Sequence, residues 1–199
     1  MDKIVEIVRR NGVATVRLQS GDTVRVPSAV YLERRVHIGQ EIDGEAYREF
    51  ARQRGYAHAL EAAVKYLSLR ERSEGEVRAR LRRSCYDETV INRVMIELAA
   101  HNLVSDSRFA GQWAYSRSRK YGKTRIAREL RAKGVSDADA RQALEEIPEE
   151  EEYRRALVQA GKLARKFRQE PQKIQQALVR RGYSWRIARR AAEEAAKEP

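Results

Sequence analysis

Three histidines, one cysteine and a run of four glutamates are the residues of this chain whose types could support catalysis. His37, His58 and His101 stand far apart, and no two share the H-x-x-x-H spacing that sets a metal pair on one helix face. A lone histidine of this kind reads as a surface or core residue. Glu149 to Glu152 imitate a nuclease's metal-binding acidic cluster, but Pro148 stands just before them, and four carboxylates suit the positive end of a helix dipole. Cys85 has basic neighbours that could lower its pKa, yet no histidine lies near it, so a small buried thiol is the expectation. No G-x-x-x-x-G-K-[ST] phosphate loop is present. No catalytic, cofactor-binding or metal-binding residue is assigned, no cofactor is expected, and an enzyme is not expected.

Charge points elsewhere. Lys and Arg number 41 against 29 Asp and Glu, a net charge of +12. Neutralising phosphates releases counterions, so such a balance favours polyanionic partners. The excess grows along the chain, from +2 over residues 1–58 and +1 over 59–102 to +4 over 103–147 and +5 over 148–199. Arg117, Arg119, Lys120, Lys123 and Arg125 crowd one helix–turn–helix junction, with Tyr115 and Tyr121 interleaved. Arg165, Lys166, Arg168, Arg180, Arg181, Arg186, Arg189 and Arg190 form a second set. Clusters of this kind can track phosphates while aromatics stack on unpaired bases. For any single residue a solvated helix face is the plainer alternative; for the clusters together an anionic partner is favoured.

Two textures must position these residues. Up to about residue 44 the sequence alternates with period two, which predicts strands near 3–9, 13–19 and 22–27, with turns at Asn11-Gly12 and Ser20-Gly21-Asp22 and closure at Pro27. In the first strand Ile4, Glu6 and Val8 are expected on one face and Val5 and Ile7 on the other. The segment through Ile42 has no assigned type. Three such strands are marginal alone and should pack on the helices C-terminal to them.

From about residue 45 the period becomes helical. Leu60, Ala63, Val64 and Leu67 make one stripe; Ser73 with Glu76 forms a capping box before Val77 and Leu81. Asp87 caps a helix carrying Ile91, Val94, Met95 and Leu98; Ser105 opens another with Phe109 and Trp113, which anchor a core at i and i+4. Gly122 and Gly134 bound the helix of Ile126 and Leu130, and Ser136 caps the next. Tyr153, Ala156, Leu157, Ala160, Leu163, Ala164 and Phe167 form the clearest stripe; Pro171 starts a helix that Gly182 ends, and Ser184 caps the last. Trp185 comes directly after that cap with its role open.

These helices repeat. Leu81-Arg82-Arg83-Ser84-Cys85-Tyr86, Leu130-Arg131-Ala132-Lys133-Gly134-Val135 and Leu178-Val179-Arg180-Arg181-Gly182-Tyr183 align, their leucines 49 and 48 residues apart. Each closes a short helix, and a capping residue and a third helix come next. The fold class expected is mainly α: an elongated array of three tandem three-helix repeats after a small N-terminal β-rich segment. The pieces are 1–44, the β-rich segment; 45–102, a linking helix and first repeat; 103–147, the second repeat; and 148–199, the third.

Ser105-Asp106-Ser107-Arg108-Phe109-Ala110 resembles the D-x-x-F-A signature of the RecX family, modulators of the RecA recombinase. Tyr121 to Val135 is similar to that family's G-x-x-R-I-x-x-E-L-x-x-K-G-[IV] stretch, and Leu69 to Val77 to its L-x-x-R-x-x-S-x-x-E-[LV] opening. The likeness spans roughly 57 to 192. Cys85 departs from it, standing where glycine is usual, so the first repeat's turn is expected to differ locally.

The resemblance implies a curved helical array lying in the groove of the RecA–DNA filament. There it inhibits recombinase, ATPase and coprotease activities and so modulates recombination, DNA repair and the SOS response. The residues expected to bind filament or nucleic acid are Arg70, Arg72, Arg82, Arg83, Arg117, Arg119, Lys120, Lys123, Arg125, Arg131, Lys133, Arg165, Lys166, Arg168, Arg180 and Arg181. Expected partners are the RecA filament and, weakly and without sequence preference, single- and double-stranded DNA. No membrane partner is expected, and the chain is expected to be monomeric and cytoplasmic. A stand-alone basic DNA-binding protein, architectural or transcriptional, with helix–turn–helix-like repeats is the alternative. It would bind duplex sequence-selectively without a recombinase.

Overall fold

The computed structural model describes residues 1–197. Four strands and ten helices are formed among the described residues, and the chain divides into two units, residues 1–104 and 105–199.

In the first unit, β1 (Asp2–Arg10), β2 (Val13–Leu18) and β3 (Thr23–Pro27) form an antiparallel meander. Asn11 and Gly12 both take positive φ, 52° and 79°, the twist that a tight hairpin needs. A short helix α1 (Ser28–Glu33) and strand β4 (Glu41–Ile42) fill the segment left unassigned by pattern, and β4 adds to β1, giving the order β3-β2-β1-β4. The face assignment in β1 needs correction. A register shift between Ile4 and Glu6 interrupts the alternation, so Ile4 and Ile7 both reach the core while Val5 and Val8 are exposed. An extra residue in one strand flips every side chain beyond it to the other face.

The sheet packs on the first long helix, as a marginal sheet must: Ile4, Val16, Val24 and Val26 meet Tyr47 and Phe50 of α2 (Gly44–Leu67). Asp43 caps this 24-residue helix, accepting from the Glu45 and Ala46 amides. Its inward line differs from the leucine stripe expected. Gly55, Ala59 and Ala63 are buried, Leu60 and Leu67 are partly buried, and Val64 is exposed. Small residues let α2 approach closely: a Cβ on Gly55 would stand 3.7 Å from the Tyr86 ring. Against this line pack α3 (Glu74–Arg83), opened by the Ser73–Glu76 capping box, and α4 (Glu88–Ala100), capped by Asp87.

The second unit holds six helices: α5 (Asp106–Ser118), α6 (Lys123–Ala132), α7 (Asp137–Glu145), α8 (Glu149–Lys166), α9 (Pro171–Arg180) and α10 (Trp185–Ala195). They form two three-helix modules with separate cores. One centres on Phe109, Ile126, Leu130, Val135 and Leu144, the other on Ala156, Ala160, Ile174, Leu178 and Ile187. Ser105, Ser136 and Ser184 each accept from the backbone amide three residues on, as N-caps do.

Candidate nucleic-acid interface

The three leucine-led corners have one geometry. Leu81, Leu130 and Leu178 are fully buried, and in each corner the carbonyl of the leucine accepts from the amide five residues on, Tyr86, Val135 or Tyr183, at 3.1–3.3 Å. The residue between takes a left-handed conformation: Cys85 at φ 59°, Gly134 at 84° and Gly182 at 88°. This is the Schellman closure of a helix end. The local difference expected at Cys85 does not occur, because the same hydrogen bonds hold the turn whatever side chain stands there. Cys85 is also half-buried rather than buried.

Each corner fixes how its basic residues are used. In the first two modules the residue after the leucine pairs with the first residue of the next helix: Arg82 with Glu88, and Arg131 with Asp137, each at 2.5 Å. In the third, Arg181 donates to Gln159 Oε1 at 2.7 Å, and Gln159 Nε2 donates to the Arg119 carbonyl at 3.1 Å.

The junction around residues 117–133 is organised by Glu129, the glutamate of the stretch from Tyr121 to Val135, for which no role was expected. Arg117 donates to both its oxygens at 2.7 Å, Arg125 Nε to one at 3.1 Å and Trp113 Nε1 to the other at 3.2 Å. Both guanidiniums also lie against the Tyr121 ring, their carbons 4.5 and 3.8 Å from its centroid. Arg117 above all holds the Glu129 carboxyl below the usual carboxylate range. Arg117 and Arg125 therefore serve the fold. So does Lys123, whose Nζ donates to the Ile147 carbonyl at 2.6 Å and whose amide donates to buried Glu152 at 3.0 Å.

The acidic run is thus divided. Glu152 caps α6 from a different helix, Glu149 pairs with Arg186, and Glu151 pairs with Arg155. Among the described residues no group of three His, Cys, Asp or Glu could hold a metal ion. His58, which has Glu61 three residues on, turns instead to Glu33 at 2.6 Å.

The remaining cations expected at the interface fall into two groups. Arg70 pairs with Glu76, the Arg72 guanidinium stacks 4.0 Å from the Tyr66 centroid, and Lys133 Nζ lies 4.3 Å from the Trp113 centroid. By contrast Arg83, Lys120, Arg165, Arg168 and Arg180 are exposed and have no carboxylate partner among the described residues. The Arg119 and Lys166 side chains, without a carboxylate partner among the described residues, lie near rings, Tyr115 at 5.7 Å and Phe167 at 5.6 Å. Arg165 and Lys162 line a 610 Å³ cavity beside α8 with no carboxylate in its lining among the described residues. Most of the unpartnered cations thus stand on the second unit, between residues 119 and 180.

Comparison with known proteins matches this architecture. Residues 59–98 match the first three-helix domain of RecX, and residues 105–144 its second. The regulatory protein RecX of Mycobacterium sp. (strain KMS) is 35% identical over 161 residues, which cover 75% of this chain and 84% of that one. The chain belongs to the RecX family. The RecX of Corynebacterium efficiens is 34% identical over 154 residues, covering 69% of this chain and 73% of the relative. A crystal structure of a regulatory protein RecX superposes with a TM-score of 0.64 and 26% identity, over 94% of this chain and 97% of that one. Relatives in this family are named regulatory proteins, and no helix among the described residues is long and apolar enough to cross a membrane.

Proposed function

We propose that this chain is a non-enzymatic, cytoplasmic regulator that binds the RecA–DNA filament and inhibits RecA's recombinase, ATPase and coprotease activities. In this way it modulates recombination, DNA repair and the SOS response. The observation that carries the reading is the set of cations left without carboxylates among the described residues in a member of a family of regulatory proteins: Lys120, Arg165, Arg168 and Arg180, with Arg119 and Lys166 beside them. A cation already paired inside the protein must lose that partner to meet a phosphate, whereas these need lose only water. Tandem modules repeat the contact along a repeating filament, and each engaged module raises the effective concentration of the next. Binding to DNA alone is weak and indifferent to sequence, because phosphate contacts carry no base information.

The test is RecA's DNA-dependent ATPase on single-stranded DNA, titrated with this protein at two salt concentrations. Reversing Lys120, Arg165, Arg168 and Arg180 to Glu should weaken inhibition at least tenfold and flatten its salt dependence. Undiminished inhibition by that variant rejects the mapping. Tight sequence-selective duplex binding without recombinase would favour a stand-alone DNA-binding protein instead.

A further inference from the structure

The third module breaks the pattern of the other two at one place. Where the first and second carry the ion pairs Arg82–Glu88 and Arg131–Asp137, the equivalent positions of the third hold Val179 and Trp185. Neither is buried: Val179 is 42% exposed and Trp185 61% exposed. They border a 580 Å³ groove along α9 at the start of α10, completed by Gln172, Gln175, Gln176 and Arg180. No carboxylate lines it among the described residues. The Arg189 guanidinium carbon stands 5.4 Å from the Trp185 ring centroid, held there by Glu193 at 2.7 Å. The chain's other tryptophan, Trp113, is by contrast half-buried and hydrogen-bonded to Glu129.

We propose that this groove is a stacking platform for an unpaired base of single-stranded nucleic acid. The inference deepens the proposed function by assigning one contact to the nucleic-acid strand rather than to the recombinase. Three features favour that occupant. An exposed indole offers a flat π surface, and stacking on it tolerates any base. The three glutamine amides carry both donors and acceptors, which suit base edges of mixed polarity. Arg180 lacks a carboxylate partner among the described residues and lies in a segment of net charge +5, so the phosphate joined to the stacked base meets positive charge.

The experiment titrates the full chain with oligothymidylate, without recombinase, and follows tryptophan fluorescence and affinity. A parallel titration uses an abasic deoxyribose-phosphate oligomer of equal length. Trp185→Ala should weaken oligothymidylate binding roughly 5- to 100-fold and leave binding of the abasic oligomer unchanged. A second variant, Val179→Arg with Trp185→Asp, restores the ion pair of the other modules at unchanged net charge and should show the same selective loss. Equal loss on both oligomers, or no loss by the paired variant, overturns the proposal. If the variants keep oligothymidylate affinity but lose inhibition of the recombinase ATPase, the groove is a protein contact. The inference then fails while the proposed function stands. If they lose the affinity in a protein whose wild type does not inhibit the recombinase, the inference stands and the proposed function fails.

Discussion

The corners at Cys85 and Gly182 share one backbone and have opposite surroundings. At Cys85 the side chain borders a 160 Å³ cavity with Arg25, Arg48, Tyr86 and neighbours, so a left-handed residue other than glycine fits there. At Gly182 a Cβ would fall 2.4 Å from the Arg125 Cβ and 2.5 Å from its amide nitrogen. Gly122 meets the corner from the other side, its amide donating to the Arg181 carbonyl at 3.1 Å, and a Cβ on it would lie 2.3 Å from the Gly182 oxygen. The Thr124 amide also donates to that oxygen, at 3.2 Å. The helix-closing hydrogen bonds thus set the left-handed turn in every module. At Gly182 glycine becomes obligatory because the start of another module's helix leans on it.

The sharpest way to break this comparison is Gly182→Ala. Left-handed strain and overpacking together should cost about 2–5 kcal/mol, read as a lower urea midpoint with proteolysis confined to residues 105–199. A cost under about 1 kcal/mol would mean that the two modules separate easily at Gly122.

Glu129→Ala comes next, because it leaves Arg117 and Arg125 uncompensated at the neighbouring junction. A loss of about 1.5–3 kcal/mol is expected. The same group predicts a pH effect. The folded-state pKa of Glu129 lies below its ordinary value, so its contribution is complete above the ordinary carboxylate range and is lost as pH falls through the folded value. Thermal melting between pH 5 and about 3 should fall less steeply in Glu129→Gln than in wild type.

Tyr183 sharpens the comparison from inside the third corner. Its hydroxyl is buried without a hydrogen-bond partner among the described residues, and burial, with Glu152 nearby, pushes its pKa up to about 12. Keeping the phenol neutral therefore adds stability that is complete below pH 10 and is lost as pH rises toward 12. Tyr183→Phe should be as stable as wild type at neutral pH, or more so, and melt less early in alkali; an unchanged alkaline profile would place the phenol in water. The smallest effect is expected from Cys85→Gly. Relief of left-handed strain, offset by the greater freedom of glycine in the unfolded chain, should stabilise residues 1–104 by about 0.5–1 kcal/mol. A destabilised variant would mean that the thiol's contacts outweigh the strain.

The pattern of elements was readable because local chemistry sets it. Ser73, Asp87, Ser105, Ser136 and Ser184 cap where caps were expected, and the leucine-led blocks occupy equivalent corners. The faces were less readable where one residue changes the phase, as in β1, or where small side chains rather than leucines form the contact, as along Gly55, Ala59 and Ala63. Among the basic residues, sequence located the clusters but not their use. Arg117, Arg125 and Lys123 look like Lys120 and Arg180 in a string of letters, and only the position of Glu129, Ile147 and Glu152 separates them.

By itself, then, the sequence determined the helices, their ends and the repeat that orders them, since caps, glycine turns and apolar periodicity act over a few residues. Tertiary structure alone decided which cations are spent on internal partners, which glycines are irreplaceable, and that Val179 and Trp185 stand together in the open. The cation and glycine outcomes depend largely on groups brought together from 12 to 60 residues apart, as Arg117 is to Glu129 and Gly122 to Gly182, and no local rule reaches that far.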